Sequence, residues 1–374
     1  MRILMLVNWK VQFCDNVSLG VQPPDYYVQG HPYWFFRYFD KNAEVDVVDI
    51  RTFPWLENFE KEKLRFYVIQ TLKVLPRLGK YDLILSHGMQ SGVVLSLFRR
   101  VFRTKAKHVV FDIGAFNSAA ESGAALKLMQ FASKSIDGVI YHTSRQKEYY
   151  QKYFPWIVPK STFIKFGTDA DFFCMEPDSL GKNEASVVAK NPYILCVGYN
   201  KRDWDTLYRA YEMLQKKGQD KLLQGRIANR VHLRLIGHAD FHPENEGVES
   251  EAFIPVTQLM EEIKGALFCV LPLEYFMYSF GQMTLLQQMA LGKAVITAKV
   301  PSMTDYVTDG ENALLYESGN VEELCEKMEL VLKDERLRKT LGRNGYDYVK
   351  NQWNECHMAK EIEKYINKVV REKA

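Results

Sequence analysis

A short glycine-containing turn that runs directly into a helical pattern is the clearest chemical signal in the sequence. Residues 278–293 read YSFGQMTLLQQMALGK, with apolar residues at helical spacing after Gly281 and a closing Gly292. The first amides of a helix lack helical partners and lie at the positive end of its dipole, so they can hold a phosphate group. A helix that binds nothing is the alternative. The candidate anion-binding residues are Ser279, Phe280, Gly281, Gln282, Met283 and Thr284.

Two adjacent cations follow the strand pattern NPYILCVGY. Lys201 and Arg202 precede Asp203 in the sequence NKRDW. Beside a helix N-terminus, two cations can bind an anionic group, and the planar guanidinium of Arg202 can contact two of its oxygens. The alternative is that Arg202 and Asp203 cap the next helix and face solvent. Because no His/Cys/Asp cluster has metal-ligand spacing, we expect no catalytic metal and no cofactor.

Polar side chains end two predicted strands in the first half of the chain. Asp112 follows the apolar run HVVF, and His87 ends the run LILSH. Ligands of open α/β sheets bind beyond the carboxyl ends of the strands, where Asp112 would orient or deprotonate a hydroxyl group and His87 is an alternative base. Asn117 and Lys165 are further candidates on the same side. The alternative for each is a polar residue that only bonds to a neighbouring loop.

The elements that would position these residues alternate between short strands and helices in both halves. The first half opens with the buried-strand pattern RILMLVN, and the alternation restarts at NPYILCVGY after a stretch without sustained period at 168–192. This order predicts two Rossmann-like, doubly wound α/β domains that face each other across a cleft. We place the first domain at residues 1–175 and the second at 190–352, and join the C-terminal helix 353–374 to the first.

Composition and charge narrow the class of protein. The chain has 374 residues, of which 47% are apolar and 25% charged, as in globular proteins of more than one domain. The six cysteines are scattered and indicate reduced thiols. Because no membrane-spanning apolar run and no signal peptide is recognised, we expect a cytoplasmic protein. A net charge of +3 and a pI near 8.3 argue against a nucleic-acid partner.

Aromatic and basic residues are interleaved at three places in the first half, in HPYWFFRYF, FPWL and LFRRVF. Lys and Arg also greatly outnumber Asp and Glu between residues 73 and 107. Surfaces of this composition can rest on an anionic membrane, so peripheral membrane contact is one interpretation. The alternative is that the aromatic residues belong to the core and the cations are solvated.

Four segments together resemble GT-B fold glycosyltransferases, family 4 in particular. QQMALGKAVI (287–296) is similar to the second half of the nucleotide-sugar-binding helix of that family, and VPSMTDYVTDGENALLYESGN is similar to the turn and strand after that helix. VIYHTSRQKEYYQKYF and STFIKFGTDADFF resemble the end of the N-terminal domain and the crossover. PYILCVGYNKRDWDTLYRAYEML resembles the first strand and helix of the nucleotide-binding domain. The resemblance covers roughly residues 135–350.

The resemblance implies a retaining, metal-independent hexosyltransferase. It would move a sugar from a nucleoside diphosphate sugar to a hydroxyl acceptor in glycan or polysaccharide biosynthesis. The first domain would bind a glycan or lipid-linked acceptor, and the second would bind the donor.

The residues that match the family pattern assign individual roles. Lys201 and Arg202 stand where the family binds the diphosphate. Gln287 replaces an acid that binds the ribose, and Ser279 replaces an acid that contacts the donor sugar. Glu274 is the nearby carboxylate that would substitute for them.

The replacement of both acids keeps other functions open. A non-catalytic, sugar-nucleotide-binding partner subunit of another glycosyltransferase is the second interpretation, and a nucleotide-sugar epimerase of similar fold is the third. A Rossmann dehydrogenase is disfavoured, because no G-x-G-x-x-G motif follows the first strand of either domain.

Overall fold

The chain forms two compact units. A computed structural model describes residues 1–16, 20–41, 43–102, 104–114, 121–174, 192–198, 200–219, 231–238 and 245–372. Unit 1 comprises Met1–Lys165, Met277–Ser279 and Glu355–Ala374, and unit 2 comprises Phe166–Phe276 and Phe280–Asn354. In the described parts of the chain, no helix combines the length and apolarity of a membrane span.

Unit 1 contains a six-stranded parallel sheet in the order β4-β1-β5-β6-β7-β8 and a separate β2–β3 pair. Helices cover the sheet, so its strands are short, apolar runs with buried side chains. The strands are β1 (Arg2–Leu6), β2 (Gln12–Cys14), β3 (Tyr26–Val28), β4 (Glu44–Val48), β5 (Leu83–His87), β6 (Lys107–Asp112), β7 (Gly138–Tyr141) and β8 (Ser161–Phe163).

The helices of unit 1 pack their apolar faces on this sheet. Val93 and Leu95 of one helix, for example, belong to two different core clusters. The α-helices are α1 (Pro54–Asn58), α2 (Val68–Val74), α3 (Met89–Val101), α4 (Gly123–Ser133), α5 (Gln146–Tyr153) and, from the end of the chain, α13 (Glu355–Arg371). Shorter turns are the 3-10 helices Trp34–Tyr38, Leu75–Lys80 and Val158–Lys160 and the π-helical turn Phe59–Leu64.

Unit 2 contains a second six-stranded parallel sheet, in the order β11-β10-β9-β12-β13-β14. Its strands are β9 (Tyr193–Val197), β10 (His232–Ile236), β11 (Val248–Glu251), β12 (Phe268–Leu271), β13 (Val295–Ala298) and β14 (Leu314–Tyr316). Its helices are α6 (Ala170–Phe173), α7 (Trp204–Gln219), α8 (Val256–Gly265), α9 (Gln282–Ala290), α10 (Pro301–Thr304), α11 (Val321–Lys333) and α12 (Glu335–Asn351). Two parallel α/β sheets confirm the predicted fold class.

Each sheet has one point at which its strand order reverses. In unit 1 this point lies between β1 and β5, and in unit 2 it lies between β9 and β12. The loops that leave the carboxyl ends of two such strands diverge to opposite faces, which opens a crevice where ligands of doubly wound sheets bind. These two places are therefore where the candidate residues must be sought.

Candidate functional site

The loop after β9 is built around a buried arginine. Arg202 Nε and Nη2 donate to the carbonyl of Val197 at 2.9 and 2.7 Å, and Nη1 donates to the carbonyl of Asn200 at 2.9 Å. A Cβ added at Gly198, which has φ +86°, would lie 2.6 Å from Arg202 Nη2. Burial lowers the pKa of the Arg202 guanidinium. Arg202 therefore shapes this loop from beneath and does not face solvent.

The same loop meets the segment after β12 and the first turn of α9. Arg202 forms an antiparallel bridge with Leu273, and the amide of Glu274 donates to the carbonyl of Lys201 at 3.2 Å. Arg202 Nη2 also donates to Thr284 Oγ1 at 3.3 Å. Unit 2 thus brings four predicted donor-side residues together at the reversal point of its sheet.

Helix α9 begins at this point without a side-chain cap. Its N-cap residue is Gly281 at φ +82°, and the amide of Leu285 makes the first helical bond to the Gly281 carbonyl at 2.9 Å. Met283 is half exposed, whereas Gln282 and Gln287 are buried. The helix therefore directs the positive end of its dipole to the place where Arg202 supplies a positive charge.

Lys201 and Glu274 are the more accessible charged groups of this loop cluster. Lys201 has φ +57° and its Nζ lies 4.0 Å from the ring centre of Phe276. Glu274 is exposed, and Phe280 is buried with its ring edge-on to Phe276 at 5.7 Å.

Asp203 caps helix α7. Its Oδ1 accepts from the amide of Thr206 at 3.1 Å, and its Oδ2 accepts from Thr206 Oγ1 at 2.7 Å. The capping alternative considered for the Arg202–Asp203 pair is therefore correct for Asp203, whereas Arg202 lies in the loop interior.

A stacked pair of rings beside this loop was missed by the sequence analysis. The rings of Trp204 and His238 lie 4.4 Å apart at an interplanar angle of 20°. The two residues follow β9 and β10, and a Cβ at Gly237 would lie 3.2 Å from the Cα of Gly198. The sequence feature that could have identified this pair is the dipeptide Gly237–His238 at the end of an apolar strand.

Ser279 belongs to unit 1. Its side chain is buried, its Oγ donates to Gln146 Oε1 at 2.7 Å, and it lies 3.1 Å from Thr143 Oγ1. The predicted turn at 279–281 is consequently divided, since Phe280 and Gly281 belong to unit 2.

Asp112 is fully buried at the end of β6, and both of its carboxylate oxygens accept hydrogen bonds. Tyr150 Oη donates to Oδ2 at 2.6 Å, Gln146 Nε2 donates to Oδ2 at 3.3 Å, and the amide of Gly114 donates to Oδ1 at 3.1 Å. Burial and the Asp112 charge raise the pKa of Tyr150 well above its usual range. This geometry gives Asp112 an anchoring role; its role as a base stays a prediction.

His87 ends β5 at the reversal point of the first sheet. Its ring lies edge-on to Trp9, with centroids 4.6 Å apart, and 5.4 Å from Trp34, while its Nδ1 lies 3.4 Å from Asn8 Oδ1. Burial, with a smaller contribution from His142, lowers the pKa of His87 to about 3. The imidazole is therefore neutral near pH 7 and better suited to hydrogen bonding than to proton abstraction.

Asn8 and Trp9 were not among the predicted residues. They lie two and three residues after β1, and this position near the end of the first strand is the sequence signal that could have identified them. Only the strand order shows that they meet His87. Lys165 is the last residue of the first segment of unit 1 and is half-buried. Asn117 lies outside the described residues. Within the described ranges, no group of three or more His, Cys, Asp and Glu side chains is placed to hold a metal ion.

The second half of the chain is similar to a known protein family. Residues 182–348 match the family model described as glycosyl transferases group 1. An uncharacterized glycosyltransferase of Methanocaldococcus jannaschii is 28% identical over 241 residues, or 59% of this chain and 64% of that protein. The capsular polysaccharide biosynthesis glycosyltransferase CapM of Staphylococcus aureus is 26% identical over 172 residues, or 43% of this chain and 45% of CapM. The chain thus spans less than two thirds of the length of these curated relatives.

Solved structures match the fold over the whole chain. Sucrose-phosphate synthase from Thermosynechococcus elongatus superposes with a TM-score of 0.68 at 18% identity, covering 99% of both chains. Anabaena HepE in complex with UDP superposes with a TM-score of 0.67 at 15% identity, covering 98% of this chain and 100% of HepE. At these identities the likeness concerns the fold, which is GT-B. Residues 182–348 therefore match the model for glycosyl transferases group 1, within a chain of GT-B fold.

Proposed function

We propose that the protein is a glycosyltransferase that moves a sugar from a nucleoside diphosphate sugar to a hydroxyl group in glycan or polysaccharide biosynthesis. The observation that carries the proposal is the position of Arg202 beside the start of α9, at the reversal point of a sheet in the group 1 domain. A guanidinium and a helix N-terminus are the two protein groups that best stabilise a diphosphate.

The proposed donor-binding roles combine the position and the chemistry of each group. Lys201 and the first-turn amides of α9 would contact the phosphates, while Arg202 holds the loop and adds its charge from below. Gln287 would pair with the ribose hydroxyls and Glu274 with the donor sugar. Charge on the leaving diphosphate is then balanced by protein groups, so we propose a metal-independent reaction.

The acceptor would bind to unit 1 beside Asn8, Trp9 and His87. The acceptor oxygen forms a bond to the anomeric carbon as the bond to the diphosphate breaks, and the proton of the hydroxyl passes to the released diphosphate. Neutral His87 would hydrogen-bond the acceptor, and we expect the family-4 outcome, retention of configuration. We propose a glycan or lipid-linked acceptor and a place in the cytoplasm, where the six free cysteines stay reduced.

A non-catalytic partner subunit is the second candidate. The hydroxyl of Ser279 is already bonded to Gln146 in unit 1, and Gln287 carries no charge. Neither of these positions supplies the acid that family relatives have. Such a protein would bind a sugar nucleotide without releasing its sugar.

Calorimetry and a turnover assay on the full chain separate these functions. We expect UDP, GDP or ADP to bind, and the matching nucleoside diphosphate to be released from its sugar when a hydroxyl acceptor is supplied. The variant Lys201→Ala should weaken binding about tenfold, whereas Lys216→Ala, an exposed lysine on α7, should not. Binding without any release favours the partner subunit. If none of the three nucleotides binds, both functions are wrong.

A further inference from the structure

Residues 51–73 of unit 1 expose several large apolar side chains close together in the chain. Phe53 and Trp55 are 70% and 71% exposed, and Phe59 and Leu72 are 51% and 52% exposed. By contrast, the HPYWFFRYF segment is core, since Trp34, Phe35 and Phe36 are buried. Large exposed apolar side chains this close together in the chain favour an interaction surface.

The local fold explains why these rings point outward. Pro54 starts the short helix α1, and the π-helical turn that follows buries Glu60, whose Oε1 accepts from the amide of Ile69 at 2.9 Å. Arg65, at φ +59°, then ends the turn. Because the acidic side chain takes the inner position of this turn, Phe59 and its neighbours are left on the outside.

Exposed basic side chains occur in the same segment as the exposed rings. Of the three carboxylates in the segment, Glu60 is buried and Glu57 pairs with Lys10 at 2.6 Å, which leaves Glu62 as the exposed acid. Arg51 also lies over the ring of Phe13, at 5.8 Å from its centre. The exposed bases of the segment are Arg51, Lys61, Lys63, Arg65 and Lys73.

The segment also lies at the edge of the unit 1 sheet where the acceptor is proposed to bind. It follows β4, which pairs in parallel with β1, so the loops after both strands leave the same edge of the sheet. Asp49 joins these loops, because its carboxylate accepts from the amides of Val11 at 3.1 Å and Arg51 at 3.0 Å.

We propose that this docking surface, formed by residues 51–73 and Phe13, binds the protein to an anionic lipid bilayer. The rings of Phe53, Trp55 and Phe59 would enter the interface, and the surrounding ammonium and guanidinium groups would contact the headgroups. Both components, exposed rings and excess positive charge, come from one short segment, and each contributes to bilayer binding. The idea that this surface brings a lipid-linked acceptor to the same edge of the sheet rests on the proposed function, whereas docking to the bilayer does not.

Co-sedimentation of the full chain with lipid vesicles tests the proposal. We expect binding to vesicles of phosphatidylglycerol mixed equally with phosphatidylcholine, and much weaker binding to pure phosphatidylcholine. The double variant Phe53→Ser/Trp55→Ser should lower the partition coefficient at least about tenfold. The variant Lys61→Ala/Lys63→Ala should lower it by about fivefold per lysine, with loss of the preference for anionic lipid.

A matched control uses another exposed apolar pair of unit 1. Val101 and Phe102 are 71% and 56% exposed at the end of α3, next to Arg100. The variant Val101→Ser/Phe102→Ser should bind vesicles like the wild type. Loss of binding in this variant but not in Phe53→Ser/Trp55→Ser would overturn the proposal. So would equal binding of wild type and Phe53→Ser/Trp55→Ser to vesicles, or a preference of the wild type for soluble polyglutamate over anionic vesicles, which would indicate an acidic protein partner.

The docking proposal and the proposed enzymatic function can be refuted independently of each other. Nucleotide binding is measured without vesicles, and vesicle binding is measured without nucleotide. Phe53→Ser/Trp55→Ser should keep the thermal unfolding midpoint and UDP affinity of the wild type, because both rings are exposed and lie in unit 1. Intact nucleotide binding with no vesicle binding refutes docking alone.

Discussion

Arg202 donates most of its hydrogen bonds to backbone carbonyls of its own loop. The same side chain therefore holds the loop conformation and supplies the positive charge proposed to bind an anion. Removing it in Arg202→Ala leaves the buried Val197 carbonyl without its donors, at a cost of about 1–3 kcal/mol in the free energy of unfolding. We also expect at least about tenfold weaker binding of UDP or the preferred nucleotide. Thermal denaturation and calorimetry measure the two effects.

Arg209→Ala is the matched control for this change. Arg209 is an exposed residue of the neighbouring helix α7, paired with Asp205 at 3.3 Å, so its loss should alter neither quantity appreciably. Wild-type stability and affinity in Arg202→Ala would show that the loop does not depend on this guanidinium.

The hydrogen bond between Tyr150 and Asp112 allows a second test at the scale of single residues. If Asp112 anchors Tyr150, then Asp112→Asn and Tyr150→Phe should each destabilise unit 1, and the double variant should cost less than their sum by about 1–2 kcal/mol. Chemical denaturation of the four proteins gives this coupling. A catalytic base would behave differently: turnover would vanish in Asp112→Asn but survive in Tyr150→Phe, with little coupling in stability.

At the scale of elements, the start of α9 depends on a glycine. In Gly281→Ala, a side chain must adopt φ +82° and its Cβ would meet Leu273 Cδ1 at 3.0 Å. We expect a loss of about 1–2 kcal/mol and weaker nucleotide binding, because the first turn of the helix must shift. Gly310→Ala shares the positive φ, +75°, but meets nothing within 4 Å. This control should lose stability only because alanine disfavours the positive φ, and it should bind nucleotide normally. Equal nucleotide affinities of Gly281→Ala and Gly310→Ala would contradict the assigned role of α9.

Strands were easier to predict than the connections between them. Five-residue apolar runs such as RILML at β1 and LILSH at β5 are typical of buried parallel strands, and the structure places strands there. The sequence of residues 58–80 is amphipathic throughout, but Arg65 at φ +59° separates the π-helical turn from α2, which runs into the 3-10 helix Leu75–Lys80. Helical periodicity continues across such a break because it reports which residues face the core, not the backbone angle of one residue.

The candidate site was predictable where it lies in one stretch of chain and unpredictable where it depends on strand order. Lys201, Arg202 and Thr284 stood out because cations and a glycine-started helix are local patterns. The contact of Asn8 and Trp9 with His87 joins β1 to β5, and that of Trp204 with His238 joins the ends of β9 and β10. Such pairings follow from the reversal points of the two sheets, which a single sequence does not specify.

At the scale of the whole molecule, three buried neutral histidines make unit 1 sensitive to acid. Burial lowers the pKa of His87 to about 3 and that of His142 to about 4, and it lowers the pKa of His108 well below its usual range. In the unfolded chain these groups take up protons below about pH 6.5. The unfolded state therefore binds more protons than the folded state between pH 7 and pH 5, and stability must fall as the pH is lowered.

His87 and His142 should each reduce the free energy of unfolding by about 2 kcal/mol between pH 7 and pH 5, and His108 should reduce it in the same direction. Urea unfolding followed by tryptophan fluorescence measures this loss, since Trp9, Trp34, Trp55 and Trp156 all lie in unit 1. His142→Asn keeps a donor for the Ile164 carbonyl, which Nδ1 contacts at 2.7 Å, but cannot titrate, so it should remove about 2 kcal/mol of the pH dependence. His357→Asn, an exposed position on α13, should leave it unchanged. A stability that is flat from pH 7 to pH 5 in the wild type would mean that these histidines take up protons in the folded state as readily as in the unfolded chain, and the lowered pKa of His87 would then be wrong.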